Sequence, residues 1–160
     1  LAKDMKARIE FNHQIWANSV CDISDIQNLP QPITLEFVKD AVQVAGLGLQ
    51  NYKTTERAFW VEALKSAHCT DVIGLNTKGC ITETSRFHLF FFKDNIFYTP
   101  PLETGCLDGV FRRFCLDSGG IQLGETRFPL KEKNIQPVDI KGYDIYVGNS
   151  LRGLLHAMLL

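Results

Sequence analysis

The chain has 160 residues and a formal net charge of −1, from 17 basic and 18 acidic side chains, and this length suits one domain, or one domain with a fragment of another. The balanced charge offers no basic surface for nucleic acid or an anionic membrane, and no apolar stretch approaches the roughly 20 residues that span a bilayer. Five scattered cysteines without a CxxC pair, and four histidines without ligand spacing, argue against a metal site and favour free thiols in a reducing cytoplasm.

The first part of the chain mixes predicted strands with loops. Alternating apolar residues predict a strand at 7–16 and, after a proline-broken linker, a second strand at 33–38. Two glycines in the stretch 41–52 predict a loop. The clearest helix is 54–68, TTERAFWVEALKSAH, with a threonine at its N-cap. Its predicted buried side consists of Ala58, Phe59, Val61, Ala63 and Leu64.

The remainder alternates short strands with short helices. Strands are predicted at 71–77, 80–84, 87–92, 125–130 and 143–148, and helices at 108–120 and 130–140. A hairpin is predicted at 92–99, with Lys93, Asp94 and Asn95 at its tip. Arg112 and Arg113 are expected on the solvated side of the first of these helices, and the alternative for Arg112 is an approach to the ligand. The last ten residues receive no assigned element. Because hairpins dominate the middle of the chain, the order of elements predicts an α+β class rather than a doubly wound parallel sheet.

Lys53 is the first candidate for chemistry. It follows a glycine-containing loop and directly precedes the predicted helix. Desolvation and the positive end of a helix dipole both disfavour the charged form of such an amine. This is the state that a lysine needs in order to condense with an aldehyde. The alternative interpretation is an ordinary solvated surface lysine.

Glu83 is the second candidate, because it enters an apolar run, ITETSRFHLFFF. A carboxylate in a buried strand is costly unless a positive group meets it there. A protonated ring nitrogen of a ligand meets that need. The alternatives are an acid at a strand edge facing water and an acid paired with Arg86.

Two small loops are candidate phosphate sites, LDGVF at 107–111 and GNS at 148–150. Gly109 stands where a helix is predicted to begin, and free backbone N–H groups at such a start bind phosphate. The second loop offers the amide of Asn149 and the hydroxyl of Ser150, although ordinary turn chemistry is the alternative for both loops. A lysine for an aldehyde, an acid for a ring nitrogen and two phosphate loops together describe a pyridoxal 5'-phosphate site.

The stretch from Lys53 to Gly153 resembles the class IV, or fold-type IV, pyridoxal-phosphate enzymes, which include branched-chain and D-amino acid aminotransferases and aminodeoxychorismate lyases. The matching pieces, in the family's order, are YKTTER, NTKGCITETS, LFFFKDNIFYTPPL, GCLDGVFRR and YVGNSLRG. Five pieces over about a hundred residues form a far more specific signal than any one of them.

The resemblance implies a role for each candidate residue. Lys53 would bind the cofactor aldehyde covalently, and Glu83 would meet the pyridine nitrogen. Leu107 would pack on a face of the ring, and Arg57 would lie near the cofactor. The positions implied to hold the phosphate are Gly109, Val110, Phe111, Asn149 and Ser150.

Within the family, TPPLETGCLDGVFRR and NSLRG look most like aminodeoxychorismate lyase. Branched-chain enzymes usually have a GTAAE-like segment where this chain has GNSLRG. The resemblance therefore implies a lyase that eliminates pyruvate from 4-amino-4-deoxychorismate to give 4-aminobenzoate for folate synthesis. The alternatives are an amino acid aminotransferase of the same fold and a truncated, inactive relative. A cytoplasmic homodimer acting on a small-molecule substrate is the family expectation.

The chain also departs from the family pattern. Residues 1–44 are predicted to be a remnant of the small N-terminal domain with its linker, and residues 45–160 to be the cofactor-binding domain. The chain begins with Leu1, which suggests a portion of a longer protein. Glu56 and His88 stand where the family often has asparagine, and Phe111 stands where aminotransferases tend to have threonine, so its phosphate contact would be through the backbone.

Overall fold

The computed structural model describes residues 5–10, 20–25, 28–38 and 57–160. Lys53, the loop predicted at 41–52, the predicted threonine cap and the second half of the first predicted strand lie outside these residues. The strands are β1 (Met5–Glu10), β2 (Val20–Asp25), β3 (Ile33–Phe37), β4 (Asp71–Leu75), β5 (Ile81–Thr84), β6 (His88–Lys93), β7 (Ile96–Thr99), β8 (Ile121–Leu123), β9 (Thr126–Phe128), β10 (Leu130–Glu132), β11 (Asp144–Asn149) and β12 (Gly153–Leu159). The helices are α1 (Ala58–Ser66) and α2 (Val110–Asp117), with 3-10 helices at Leu102–Thr104 and Pro137–Ile140.

One eight-stranded sheet organises the described residues, in the order β10-β7-β6-β11-β12-β3-β4-β5. β3 runs parallel to both of its neighbours, and β10 runs parallel to β7, whereas the other pairs in this sheet are antiparallel. β1 with β2, and β8 with β9, form separate two-stranded sheets. This mixed sheet with short helices confirms the predicted α+β class.

The main sheet has two apolar faces, because successive side chains of a strand point to opposite sides. Leu89 and Phe91 of β6 belong to the larger buried cluster on one face, together with residues of β3, β4 and β11. Phe90 belongs to a second cluster, which also contains Cys115 of α2 and Ile121 of β8. β6 is therefore buried on both sides, which explains its continuous run of aromatic residues.

The helix predicted at 54–68 exists, but it begins at Ala58 with Arg57 at its N-cap. None of its residues is buried, and Val61 is 49% exposed. The predicted buried side is therefore wrong. Its five apolar positions are spread around the helix instead of following one stripe, so no single face places them all against the sheet.

Four stretches form strands that the local pattern did not predict, and one of them is β8, directly after the helix predicted at 108–120. β2 lies in the predicted linker, β10 replaces the start of the helix predicted at 130–140, and β12 occupies the unassigned last residues. β10 pairs with β7, and β12 lies between β11 and β3. β7, the partner of β10, and β3, one partner of β12, lie far along the chain, and local propensity does not report such a partner. β2 pairs with the preceding strand β1.

β3 bears on the predicted division into domains. It lies on the amino-terminal side of the predicted boundary between residues 44 and 45, and it is nevertheless an inner strand of the main sheet. The boundary itself stays a prediction.

Candidate active site

The amino-terminal end of α2 is the centre of the candidate site. Gly109 is the N-cap residue, with φ −85° and ψ 145°, and no side chain caps the helix. The first backbone N–H groups of a helix have no partner within the helix, so Val110 and Phe111 offer donors and the positive end of the helix dipole to an anion. Val110 is 74% exposed, so this end of the helix is open to a ligand.

A close contact with β6 fixes the position of that helix end. A Cβ atom built on Gly109 would lie 2.0 Å from Nε2 of His88, a distance that real side chains do not tolerate. His88 is buried at the start of β6. The backbone angles of Gly109 are open to any residue. The contact with His88, and not the backbone conformation, is therefore the reason for glycine at this position.

The 148–150 turn is held beside the same helix. A Cβ atom on Gly148 would lie 2.5 Å from the ring of Phe111. Gly148 is also the partner of His88 in the pairing of β11 with β6. The structure thus brings the two sequence-predicted phosphate loops together, because both pack on one point of the sheet.

Asn149 shapes the turn that carries Ser150. Its side-chain oxygen accepts the N–H groups of Leu151 and Arg152 at 3.0 and 2.9 Å, and its side-chain nitrogen donates to the Arg86 carbonyl at 3.1 Å. Ser150 is exposed at the tip of the turn. The Asn149 side chain therefore shapes the turn on which Ser150 is exposed.

Glu83 is half-buried on β5 and faces the loop that precedes α2. Its Oε2 accepts the backbone N–H of Leu107 at 3.2 Å, which ties the acid to the loop that leads into α2. Arg86, the alternative ionic partner considered above, is paired with Asp71 at 3.4 Å.

Arg57 reaches the same segment from the start of α1. Its guanidinium donates to the carbonyl oxygen of Ser85. Segment 83–88, which joins β5 to β6, is therefore the meeting point of the described candidates: Glu83 contacts Leu107, Ser85 accepts from Arg57, Arg86 accepts from Asn149, and His88 supports Gly109. Lys53 lies outside the described residues, so its amine is not placed.

Two buried groups near the site are neutral at neutral pH. Burial and the adjacent Arg112 cation lower the pKa of the His88 imidazole to about 4, against an opposing effect of Asp108. Burial raises the pKa of the Cys106 thiol to about 11. A thiolate nucleophile at Cys106 is therefore excluded at neutral pH.

Arg112 corrects one expectation, and its hydrogen-bonding role in positioning α2 was missed by sequence reasoning. It was expected on the solvated side of its helix, but it is only 2% exposed. Its Nε and Nη2 donate to the Pro100 carbonyl at 3.2 and 2.9 Å, and it forms an ion pair with Glu132. Arg113 is exposed, as expected, and pairs with Asp108. Through these contacts, Arg112 holds the start of α2 against Pro100, at the end of the β6–β7 hairpin, and against β10.

Asp71 is a second residue that sequence reasoning missed. It is fully buried at the start of β4 and bonds to the turn that follows Glu83. The sequence did contain a signal for Asp71. It begins the apolar run DVIGL, and a carboxylate in a buried strand needs hydrogen-bond donors or a positive partner, as argued for Glu83.

Features of other protein classes are absent from the part of the chain that the structure describes. Neither the two α-helices nor the two 3-10 helices have the length of apolar sequence that a membrane-spanning helix requires. Within residues 5–10, 20–25, 28–38 and 57–160, no group of three or more His, Cys, Asp or Glu side chains is placed to share a metal ion.

Comparison with known proteins agrees with this architecture. The profile of the family described as amino-transferase class IV matches residues 18–158. A Schizosaccharomyces pombe protein provisionally named aminodeoxychorismate lyase is 27% identical over 113 residues, which cover 68% of this chain and 47% of that protein. The Bacillus subtilis aminodeoxychorismate lyase is 37% identical over 62 residues, covering 37% of this chain and 21% of the relative.

A solved structure is similar over almost the whole chain. The crystal structure of a provisionally assigned amino-acid aminotransferase from Mesorhizobium loti superimposes with a TM-score of 0.82 at 25% identity, covering 98% of this chain and 73% of that one. The chain spans about half or less of the length of the curated relatives that it matches.

Proposed function

This chain belongs to the aminotransferase class IV family, and on that premise we propose that it binds pyridoxal 5'-phosphate and eliminates pyruvate from 4-amino-4-deoxychorismate to form 4-aminobenzoate. The observation that carries the proposal is the convergence on segment 83–88 of the loop containing Leu107 and Gly109, the turn of Asn149, and Arg57. The two curated relatives described above carry the lyase name, which favours this reaction over others of the family.

The residues fit the cofactor by their chemistry. The open α2 start suits a phosphate group because no side chain caps its N–H groups, and exposed Ser150 offers a hydroxyl as a further donor. Glu83 suits a protonated ring nitrogen, and its Leu107 contact orients the carboxylate. A unit charge pair about 4 Å apart is worth roughly 4 kcal/mol at an effective dielectric near 20. That corresponds to about 3 pKa units in favour of the protonated nitrogen.

Lys53 has two tasks in this proposal. It would hold the cofactor covalently, and its amine would serve as the base that takes the proton from the substrate ring carbon bearing the amino group. When bound, the cofactor supplies an electron sink for the charge left on that carbon. The enolpyruvyl ether bond would then break, the ring would become aromatic, and the leaving enolpyruvate would become pyruvate by gaining one proton, which balances the proton lost from the ring. Arg57 and Leu107 are proposed to position the cofactor without taking protons.

An amino acid aminotransferase of the same fold is the second candidate, because the Mesorhizobium loti structure carries an aminotransferase name. The purified chain is incubated with aminodeoxychorismate and, separately, with branched-chain or D-amino acids plus 2-oxoglutarate. Release of pyruvate and 4-aminobenzoate supports the lyase, whereas a new keto acid supports the aminotransferase. A cofactor-binding chain inactive in both assays supports the truncated relative. A cytoplasmic homodimer is part of the proposal, and it rests on the resemblance.

A spectrum tests the cofactor assignment directly. The chain mixed with pyridoxal 5'-phosphate should show the absorption of lysine-bound cofactor near the violet edge of the visible range, and Lys53→Ala should abolish it. Lys65→Ala is the matched control, since this lysine of α1 is 68% exposed. A band that survives in Lys53→Ala, or is missing from the unmodified chain, contradicts the proposal.

A further inference from the structure

Asp71 is a fully buried carboxylate that is saturated with donors. Its Oδ1 accepts the Val72 N–H at 2.8 Å, the Ser85 N–H at 3.2 Å and the Ser85 hydroxyl at 2.5 Å. Its Oδ2 accepts the Thr84 hydroxyl at 2.9 Å and the Nε–H of Arg86 at 3.4 Å. Four of these five donors belong to the consecutive residues 84–86, so Asp71 holds this short segment in place.

That piece is the turn between β5 and β6. The turn is closed by its own bonds as well, because the Thr84 N–H donates to the Phe87 carbonyl and the Phe87 N–H donates to the Thr84 hydroxyl, both at 2.9 Å. Its inward-facing groups bond to Asp71. The carbonyl oxygens of Ser85 and Arg86 do not bond to Asp71, and they accept hydrogen bonds from residues outside the turn.

Those two carbonyl oxygens are the ones that hold candidate cofactor residues. The Ser85 carbonyl accepts from Arg57, and the Arg86 carbonyl accepts from Asn149 at 3.1 Å. Glu83 immediately precedes the turn. A shift of the turn would therefore displace three elements of the candidate site together.

We propose that Asp71 is a positioning residue of the cofactor site: it fixes the 84–86 turn, and through that turn it sets Arg57, the Asn149 turn and Glu83 in one arrangement. The inference rests on the proposed function, since the site it serves is the proposed one. A buried charged network is weak support for stability, because apolar residues often replace one at no loss. A fully bonded network does define one geometry for the groups it holds.

Asp71→Asn is the first test. The amide has nearly the shape of the carboxylate, but its nitrogen cannot accept from the Arg86 side chain. Hydrogen exchange, measured without added cofactor, should accelerate at the Ser85 amide and at the Leu151 and Arg152 amides that depend on Asn149. The amide of Phe91, in the sheet core, should keep its protection.

The affinity for pyridoxal 5'-phosphate provides the second readout. Asp71→Asn should bind about tenfold more weakly or worse, as expected for loss of hydrogen bonds to a charged group. Asp139→Asn makes the same chemical change in the exposed capping box of the second 3-10 helix and should leave both readouts unchanged. If Asp71→Asn does not fold, Ser85→Ala removes one donor from the cluster, and the same directions are expected in milder form.

The outcomes separate the two claims. Unchanged exchange and unchanged affinity in a folded variant overturn the role of Asp71 while the proposed function stands. Uniform acceleration of all amides, including Phe91, also overturns it, because the residue would then serve only global stability. An unmodified chain that does not bind pyridoxal 5'-phosphate overturns the proposed function, and with it the role of Asp71 in a cofactor site.

Discussion

The contact between His88 and Gly109 shows how one residue type constrains another. Sequence reasoning placed a phosphate loop at 107–111 and noted His88 as a departure from the family pattern. The structure connects the two, since the imidazole occupies the space that a side chain at position 109 would need. His88 is thus part of the wall of the candidate phosphate site, and its protonation state affects the folded chain.

A pH-dependent loss of stability follows from the pKa of His88, which is about 4 in the folded chain. In the unfolded chain the ordinary value is about 6.5, so the unfolded state binds more protons between these values. The contribution of neutral His88 to stability is fully present at a pH above the unfolded-state pKa of 6.5. It is lost as the pH falls toward the folded-state pKa of about 4. Urea unfolding at pH 7.5 and pH 5 should show about 2 kcal/mol more loss in the unmodified chain than in His88→Asn. Equal losses in the two chains would contradict the buried, neutral imidazole.

At the scale of elements, α2 is positioned by Arg112, a buried residue in its own first turn. Arg112 bonds twice to the Pro100 carbonyl and pairs with Glu132 of β10. A guanidinium makes this forked contact, and the single ammonium group of lysine cannot reproduce it.

We expect Arg112→Lys to lower the free energy of unfolding by about 2 kcal/mol, because a buried carbonyl loses a donor and a buried cation loses part of its hydrogen bonding. The affinity for pyridoxal 5'-phosphate should fall as well, since the helix start shifts. Arg113→Lys, on the exposed side of the same helix, should change stability by less than about 0.5 kcal/mol. Urea unfolding and a cofactor titration of both variants provide the check. Similar effects at the two positions would refute the positioning role.

The elements that could be predicted from sequence are those with local causes. The β6–β7 hairpin was predicted because apolar runs flank Lys93, Asp94 and Asn95, and the structure confirms it, with positive φ at Asp94 and Asn95 in the tight turn. β10 and β12 were not, because each is stabilised by a distant partner strand. The candidate site divides similarly: the spacing of motifs identified Glu83 and the two loops, whereas the bonding of Asp71 depends on a fold that brings β4 beside β5.

At the scale of the whole molecule, β12 joins the two halves of the main sheet. β10, β7, β6 and β11 lie on one side of it, and β3, β4 and β5 lie on the other. Ala157 pairs with Ile145 of β11 and with Ile33 of β3, and it is 2% exposed. The hydrogen-bonded connection between the halves runs through this strand.

Ala157→Asp should therefore unfold both halves together. An unpaired charge at this buried position should cost about 4 kcal/mol or more. Met158→Asp, at a neighbouring position that is 43% exposed, should be tolerated. Circular dichroism should show one cooperative loss of structure in the first variant, and residual hydrogen-exchange protection confined to β6, β7 and β11 would contradict the prediction.

The central place of β12 also orders events during synthesis. Translation proceeds from the amino end, so every other described strand leaves the ribosome before Gly153–Leu159 does. Until then, β11 and β3 each present an open hydrogen-bonding edge, and such edges attract other unpaired strands. The edges of β11 and β3 must therefore be kept from pairing with other strands until synthesis of Gly153–Leu159 is finished.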